Sequence, residues 1–177
     1  MLPNADPAIV DCFVDWVYTN NDIVDSCRYH ELYMFSDELD VPRLRKRVTE
    51  KAFGTLSGLT KMVHESHAMK SEWPIQFVSM MQVIYQNTGP GCRFRKVFTH
   101  ASVWILGKAW LEIEGVQEWL QKEPEIAMDI LLEMSTKAEG GKNPFVHGSA
   151  KDYYDAGVIE MENEQSRSAA NEAAGKA

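Results

Sequence analysis

The sequence predicts an all-α helical bundle over residues 6–137 and a disordered tail over 138–177. Three observations carry that expectation. Apolar residues recur at spacings of three and four through successive segments, the period of a helix with one buried face. Aspartate, proline and glycine punctuate those segments where helices start and stop. Beyond Lys137 large apolar residues thin out and acidic residues outnumber basic ones.

Asp6 opens the first helix with an oxygen that can accept free backbone N–H groups, and Pro7 follows where a missing N–H costs nothing. Ile9, Phe13, Trp16 and Val17 form its inward stripe, and Asn20, Asn21 and Asp22 end it with turn chemistry. Ile23 and Val24 leave room for a very short strand. A second helix is expected from about Asp25 or Ser26 to Leu39, with Leu32, Phe35 and Leu39 inward. Asp40 then caps a third, Pro42 sits in its first turn, Leu44, Val48 and Phe53 face inward, and Gly54 stops it.

Ser57 caps the next helix, which carries Leu59, Met62 and Val63. Pro74 starts another, with Ile75, Val78, Ile84 and Tyr85 in its stripe. Asn87-Thr88-Gly89-Pro90-Gly91 is a firm break. From Cys92 to about Ile113 the pattern is helical again: Phe94, Val97, Phe98, Ala101 and Ile105 share one face, and Gly107 interrupts it. A turn near Gly115 precedes Trp119 and Leu120, and Pro124 opens a last helix with Ile126, Ile130, Leu131 and Met134 inside. In the tail only Phe145–Val146, Tyr153–Tyr154 and Val158–Ile159 are apolar enough to dock on anything; the rest cannot offset its ordering entropy.

The chain has 177 residues, one domain's worth or slightly more, with 45% hydrophobic and 25% charged residues. A formal charge of −8 argues against a general affinity for nucleic-acid backbones or anionic membranes. No apolar run approaches a membrane span and no secretory signal opens the chain, so cytoplasm or nucleus is expected. Three cysteines without a CxxC pair read as small buried hydrophobes.

Several patterns invite chemistry and fall short of it. His64-Glu65-Ser66-His67 is not HExxH, so no metal site is expected. The basic run Val41 to Arg47 reads as a helix face pairing with nearby Asp and Glu, ahead of a nucleic-acid patch. Trp16, Trp73, Trp104, Trp110 and Trp119 read as packing residues. The glycines around Pro90 lack phosphate-cradling spacing, and His30-Glu31 and Asp37-Glu38 read as surface pairs. With no GxSxG and no supported Cys/His pairing, no catalytic residue, cofactor or enzymatic activity is expected.

Two stretches carry a family resemblance. Asp6 to Asn21 (DPAIVDCFVDWVYTNN) has an acidic-Pro start, an apolar helix and the cluster Trp16-Val17-Tyr18-Thr19. Leu32 to Val48 (LYMFSDELDVPRLRKRV) has Asp37, Leu39, Val41, Pro42 and Leu44 in an Asp-x-Leu-x-Val-Pro-x-Leu turn. Both resemble the second half of a BTB/POZ domain, a protein-interaction fold. Val83 to Thr88 followed by Gly89 to Arg95 is similar to the helical extension of many fungal BTB proteins.

The resemblance implies an α+β family fold of which this chain holds the C-terminal helices over 1–54, a helical extension over 55–137 and the tail over 138–177. It implies a non-enzymatic adaptor for ubiquitin ligation or a transcription-related assembly, with protein partners including a cullin-family scaffold. Tyr18, Thr19, Asn20, Asn21 and Asp22, in the loop after the first helix, are the residues carried over as partner-binding. Family dimers depend on the domain's N-terminal half, which precedes these motifs, and this puts homodimerisation in doubt. The alternative expectation is a truncated or mis-started fragment with no activity of its own, or one that interferes with a full-length relative.

Overall fold

A computed structural model describes residues 6–19, 28–66, 73–107, 112 and 114–174; for 61–66, 73–75 and 174 it describes the backbone alone. Among the described residues every regular element is helical and there is no strand, as the apolar periodicity requires. None of these helices is long and apolar enough to cross a membrane. Ile23 and Val24 lie outside the described residues.

Helix α1 spans Pro7–Thr19, and Asp6 caps it as its side chain predicts: Oδ1 accepts the Ala8 N–H at 2.8 Å. Arg28 ties that cap to α2, Tyr29–Glu38, through ion pairs to both Asp6 and Glu31. The candidate caps Asp25 and Ser26 lie outside the described residues. Ile9 is buried, and Phe13 and Trp16 pack half-buried on the core. Val17 departs from its expected place and is half exposed, because the described residues bury only the side of α1 that carries Ile9.

Asp40 does not begin the third helix; it ends the second. Its φ of 49° is left-handed, and the Val41 N–H reaches Ser36 O at 2.8 Å while its own N–H reaches Asp37 O, the bonding of a Schellman end. Its carboxylate turns to Arg45 instead of to the backbone of the next helix.

Helix α3, Pro42–Ser66, runs straight through Gly54, the expected stop. Glycine in a helix interior costs about 1 kcal/mol, but Ala52, Leu56 and Thr60 are buried around it and hold the turns in place. The helix stop expected at Gly54 and the new start expected at Ser57 are therefore both absent. Helix α4, Trp73–Asn87, ends at the predicted break, and α5, Arg93–Ala101, follows it. Five π-helical residues, Ser102–Leu106, extend α5 to Gly107, where the sequence predicts an interruption. Helix α6 is Val116–Lys122 and α7 is Pro124–Ala138.

The tail is where the structure corrects the sequence most. Residues 144–174 form α8, Pro144–His147, a 3-10 turn, Ala150–Tyr153, and α9, Ala156–Ala174. Phe145, Tyr153, Tyr154 and Val158 are buried against α3 and α5. Average polarity hid these anchors; four apolar side chains in fourteen residues suffice to dock a segment on a prepared surface. The glycine that lets the chain turn back is Gly140, whose φ of 87° closes α7 with a second Schellman end.

Two helices organise the core. α3 meets α2, α5, α8, the 3-10 turn and α9, while α5 meets α3, α4, α7 and the 3-10 turn. One continuous apolar cluster joins Ile9 at the start to Tyr153 near the end. At its centre Tyr33 stacks on Phe94, ring centroids 4.0 Å apart and nearly parallel, and Phe94 meets Phe98 edge-on.

Candidate functional site

Two kinds of feature compete for function: polar constellations inside the bundle and apolar faces outside it.

The largest polar constellation lies along the α5–α7 seam, beside a cleft of about 340 Å³ lined by Arg93, Lys96, His100, Asp129, Leu132 and Glu133. Arg95, buried on α5, donates to Thr88 Oγ1 at 2.8 Å and to Tyr85 O at 2.9 Å, pairs with Glu125 of α7, and stacks over the Tyr85 ring. Tyr85 in turn donates to Asp129 at 2.7 Å and sits 2.9 Å from Thr99. Burial pushes its phenol well above the ordinary range, and its bond to Asp129 adds to that. Tyr85, Thr88 and Arg95 thus meet in space.

One turn further on, His100 Nδ1 lies 2.7 Å from the Tyr153 hydroxyl and Nε2 lies 3.0 Å from Glu133. A neutral ring protonated at Nε2 suits both neighbours. Burial holds its pKa below the usual histidine value, with Lys96 acting in the same direction and Glu133 against it. Trp104 Nε1 donates to the other oxygen of Glu133 at 2.5 Å. The cleft's acids are therefore engaged with neighbours on α4, α5 and the π-helical turns, an arrangement that locks helices together. Among the described residues no group of three His, Cys, Asp or Glu could hold a metal ion; His67 and the side chain of His64 lie outside them.

A second constellation surrounds Arg45. This guanidinium is 5% exposed and faces three carboxylates, Asp37 at 3.3 Å, Asp40 at 3.4 Å and Asp155 at 2.9 Å. The rest of the basic run pairs outward: Lys46 with Glu162 at 2.7 Å, Arg47 with Glu50 at 3.4 Å, and Arg43 over the Trp16 ring. The sequence expectation of pairing with acids holds for Lys46 and Arg47, but Arg45 is interior. His30 likewise is buried, contrary to its reading as a surface residue, and burial lowers its pKa.

Outside the bundle, Tyr18, one of the predicted partner-binding residues, is 84% exposed. With Val14 and Val17, four and one residues before it, it makes an apolar face on α1. Thr19 is also exposed, and Asn20, Asn21 and Asp22 lie outside the described residues.

A larger apolar face on α7 escaped the sequence reading. Met128, Leu131 and Leu132, at i, i+3 and i+4, are 56%, 59% and 62% exposed, and Met134 adjoins them. Ile126 and Ile130 are buried as expected, whereas Leu131 and Met134, expected inside, are not. The signal was present: α7 is apolar on more than one side, too wide for a single buried stripe.

Among described aromatics, Trp16, Trp104 and Trp119 pack half-buried on the core, as packing residues do. Compared with known proteins, the chain matches no family model, no curated protein and no solved structure.

Proposed function

We propose that this chain is a protein-interaction module of BTB/POZ type, fungal in kind, that works in the cytoplasm or nucleus by presenting helical surfaces to partner proteins. It acts without catalysis, as an adaptor for a ubiquitin-ligase scaffold or a transcription-related assembly. The observation that carries the reading is the pair of exposed apolar faces, Val14–Val17–Tyr18 on α1 and Met128–Leu131–Leu132 on α7. Contiguous apolar surface of this kind is disfavoured in water unless something covers it. Engagement of the interior carboxylates as helix ties favours the same view, since a catalytic acid or base must reach a substrate proton.

The test is co-purification with mass spectrometry of the full chain beside the double variant Leu131→Ser/Leu132→Ser. A specific partner set lost from the variant, with helical content unchanged by circular dichroism, is the expected result. Retention of every partner by the variant, and by Val17→Ser/Tyr18→Ser, removes the basis for the proposal.

A further inference from the structure

The way the tail binds the body has the form of ligand recognition. Tyr153 is buried beneath His100 and against Phe53, with ring centroids 5.5 Å apart. Tyr154 is buried too: its hydroxyl donates to Glu50 at 2.7 Å, and Lys46 lies 5.9 Å from its ring. Asp155 follows. One oxygen faces Arg45 at 2.9 Å and accepts from the Tyr33 hydroxyl at 3.1 Å; the other accepts the Val158 N–H and so starts α9. At Gly157 an added Cβ would lie 2.7 Å from Arg45 Nη2, so nothing larger fits without displacing the guanidinium. Val158 is then fully buried.

The groove along α3, walled by α5 at Tyr153 and by α2 at Asp155, thus reads tyrosine, tyrosine, aspartate, any residue, glycine, valine in order. Its other acids, Asp37 and Asp40, are mostly exposed, so Asp155 is the partner that neutralises a buried charge. The segment hangs from the body by five residues, Glu139 to Asn143, with Gly140 and Gly141 inside them.

We propose that this groove is a recognition site that accepts the tail of a second copy of the chain as well as its own, so that two copies pair by exchanging tails. The occupant is argued from the sequence seated there: every contact above is available unchanged from another copy. Exchange therefore loses only the proximity that the short linker supplies. The proposal uses neither apolar face of the preceding section, and the two readings fail separately.

Complementation between two full-length variants tests it. Asp155→Asn carries a weakened tail beside an intact groove, and Arg45→Gln carries an intact tail beside a weakened groove. Hydrogen exchange is expected to show 144–162 released in both, with the helical body protected. The mixture is expected to form a heterodimer on size-exclusion chromatography with light scattering, while each variant alone stays monomeric. A synthetic peptide of residues 149–164 provides a second measurement that needs no Arg45 variant. It is expected to bind Asp155→Asn at least about tenfold more tightly than the wild-type chain, whose groove is filled. Released tails with no heterodimer overturn the proposal whether or not the peptide binds, as does a tail that stays protected in Asp155→Asn.

Discussion

Helices α5 and α7 lie side by side and are both amphipathic, yet they end in opposite environments. Of α5 only Arg93 and Lys96 reach solvent, and even Arg95, Thr99 and His100 are buried. Of α7 only Ile126 and Ile130 are buried, while three large apolar residues are more than half exposed. The difference is not in the residues but in what covers them. α5 has α3, α4, α7 and the 3-10 turn of the tail around it; among the described residues α7 packs mainly on α5, α6 and the π-helical turns, and its other side is exposed. Burial of a helix is thus a property of its neighbours, and the polar groups of α5 become helix ties because they are enclosed.

The comparison is broken most severely by removing a side chain at the centre of α5. Phe94→Ala deletes a fully buried ring that stacks on Tyr33 and meets Phe98. A loss of about 3–5 kcal/mol in urea-melt stability is expected. A loss below about 1 kcal/mol would show that the interior is not closed around α5.

Arg95→Met comes next. It leaves Tyr85 O and Thr88 without their donor and Glu125 without its cation, on the seam that joins α4, α5 and α7. Because Glu125 is half exposed and can rehydrate, the expected loss is about 2–3 kcal/mol, again read by urea melts.

pH sharpens the comparison at the same seam. Burial depresses the folded pKa of His100 and of His30, so the unfolded chain takes up their protons first as pH falls. Stability is therefore flat above about pH 7 and declines as pH drops below the ordinary histidine value of about 6.5, before the carboxylates titrate. His30→Asn/His100→Asn is expected to flatten that decline; an unchanged slope in the double variant would place its origin elsewhere.

The smallest effect belongs to α7's outer face. Leu132→Ser changes a residue already 62% exposed, and its melt should shift by no more than about 0.5 kcal/mol. A large loss there would mean that the face is covered within the chain.

Legibility in the sequence followed the range of the interaction. Asp6 with Pro7, the Gly89–Pro90–Gly91 break and the Phe94–Val97–Phe98–Ala101–Ile105 face were readable because each acts within a turn or two of its own helix. Gly54 misled because packing by Ala52, Leu56 and Thr60 outweighs a glycine's cost, and Asp40 misled because cap chemistry suits either side of a turn. Of the candidate surface, Tyr18 lies in the stretch that the resemblance singled out, whereas no motif marked the α7 face, since exposure depends on which layers happen to arrive.

By itself, the sequence determined the helical class, most helix starts and the break before α5, because these are set by backbone hydrogen bonding and side chains three or four residues apart. Only the tertiary structure decided that Arg45 and Asp155, 110 positions apart along the chain, neutralise one another, that the polar tail is ordered, and that one side of α7 stays in water. Each of those outcomes depends on surfaces built by distant segments, and no local pattern encodes what a distant segment will cover.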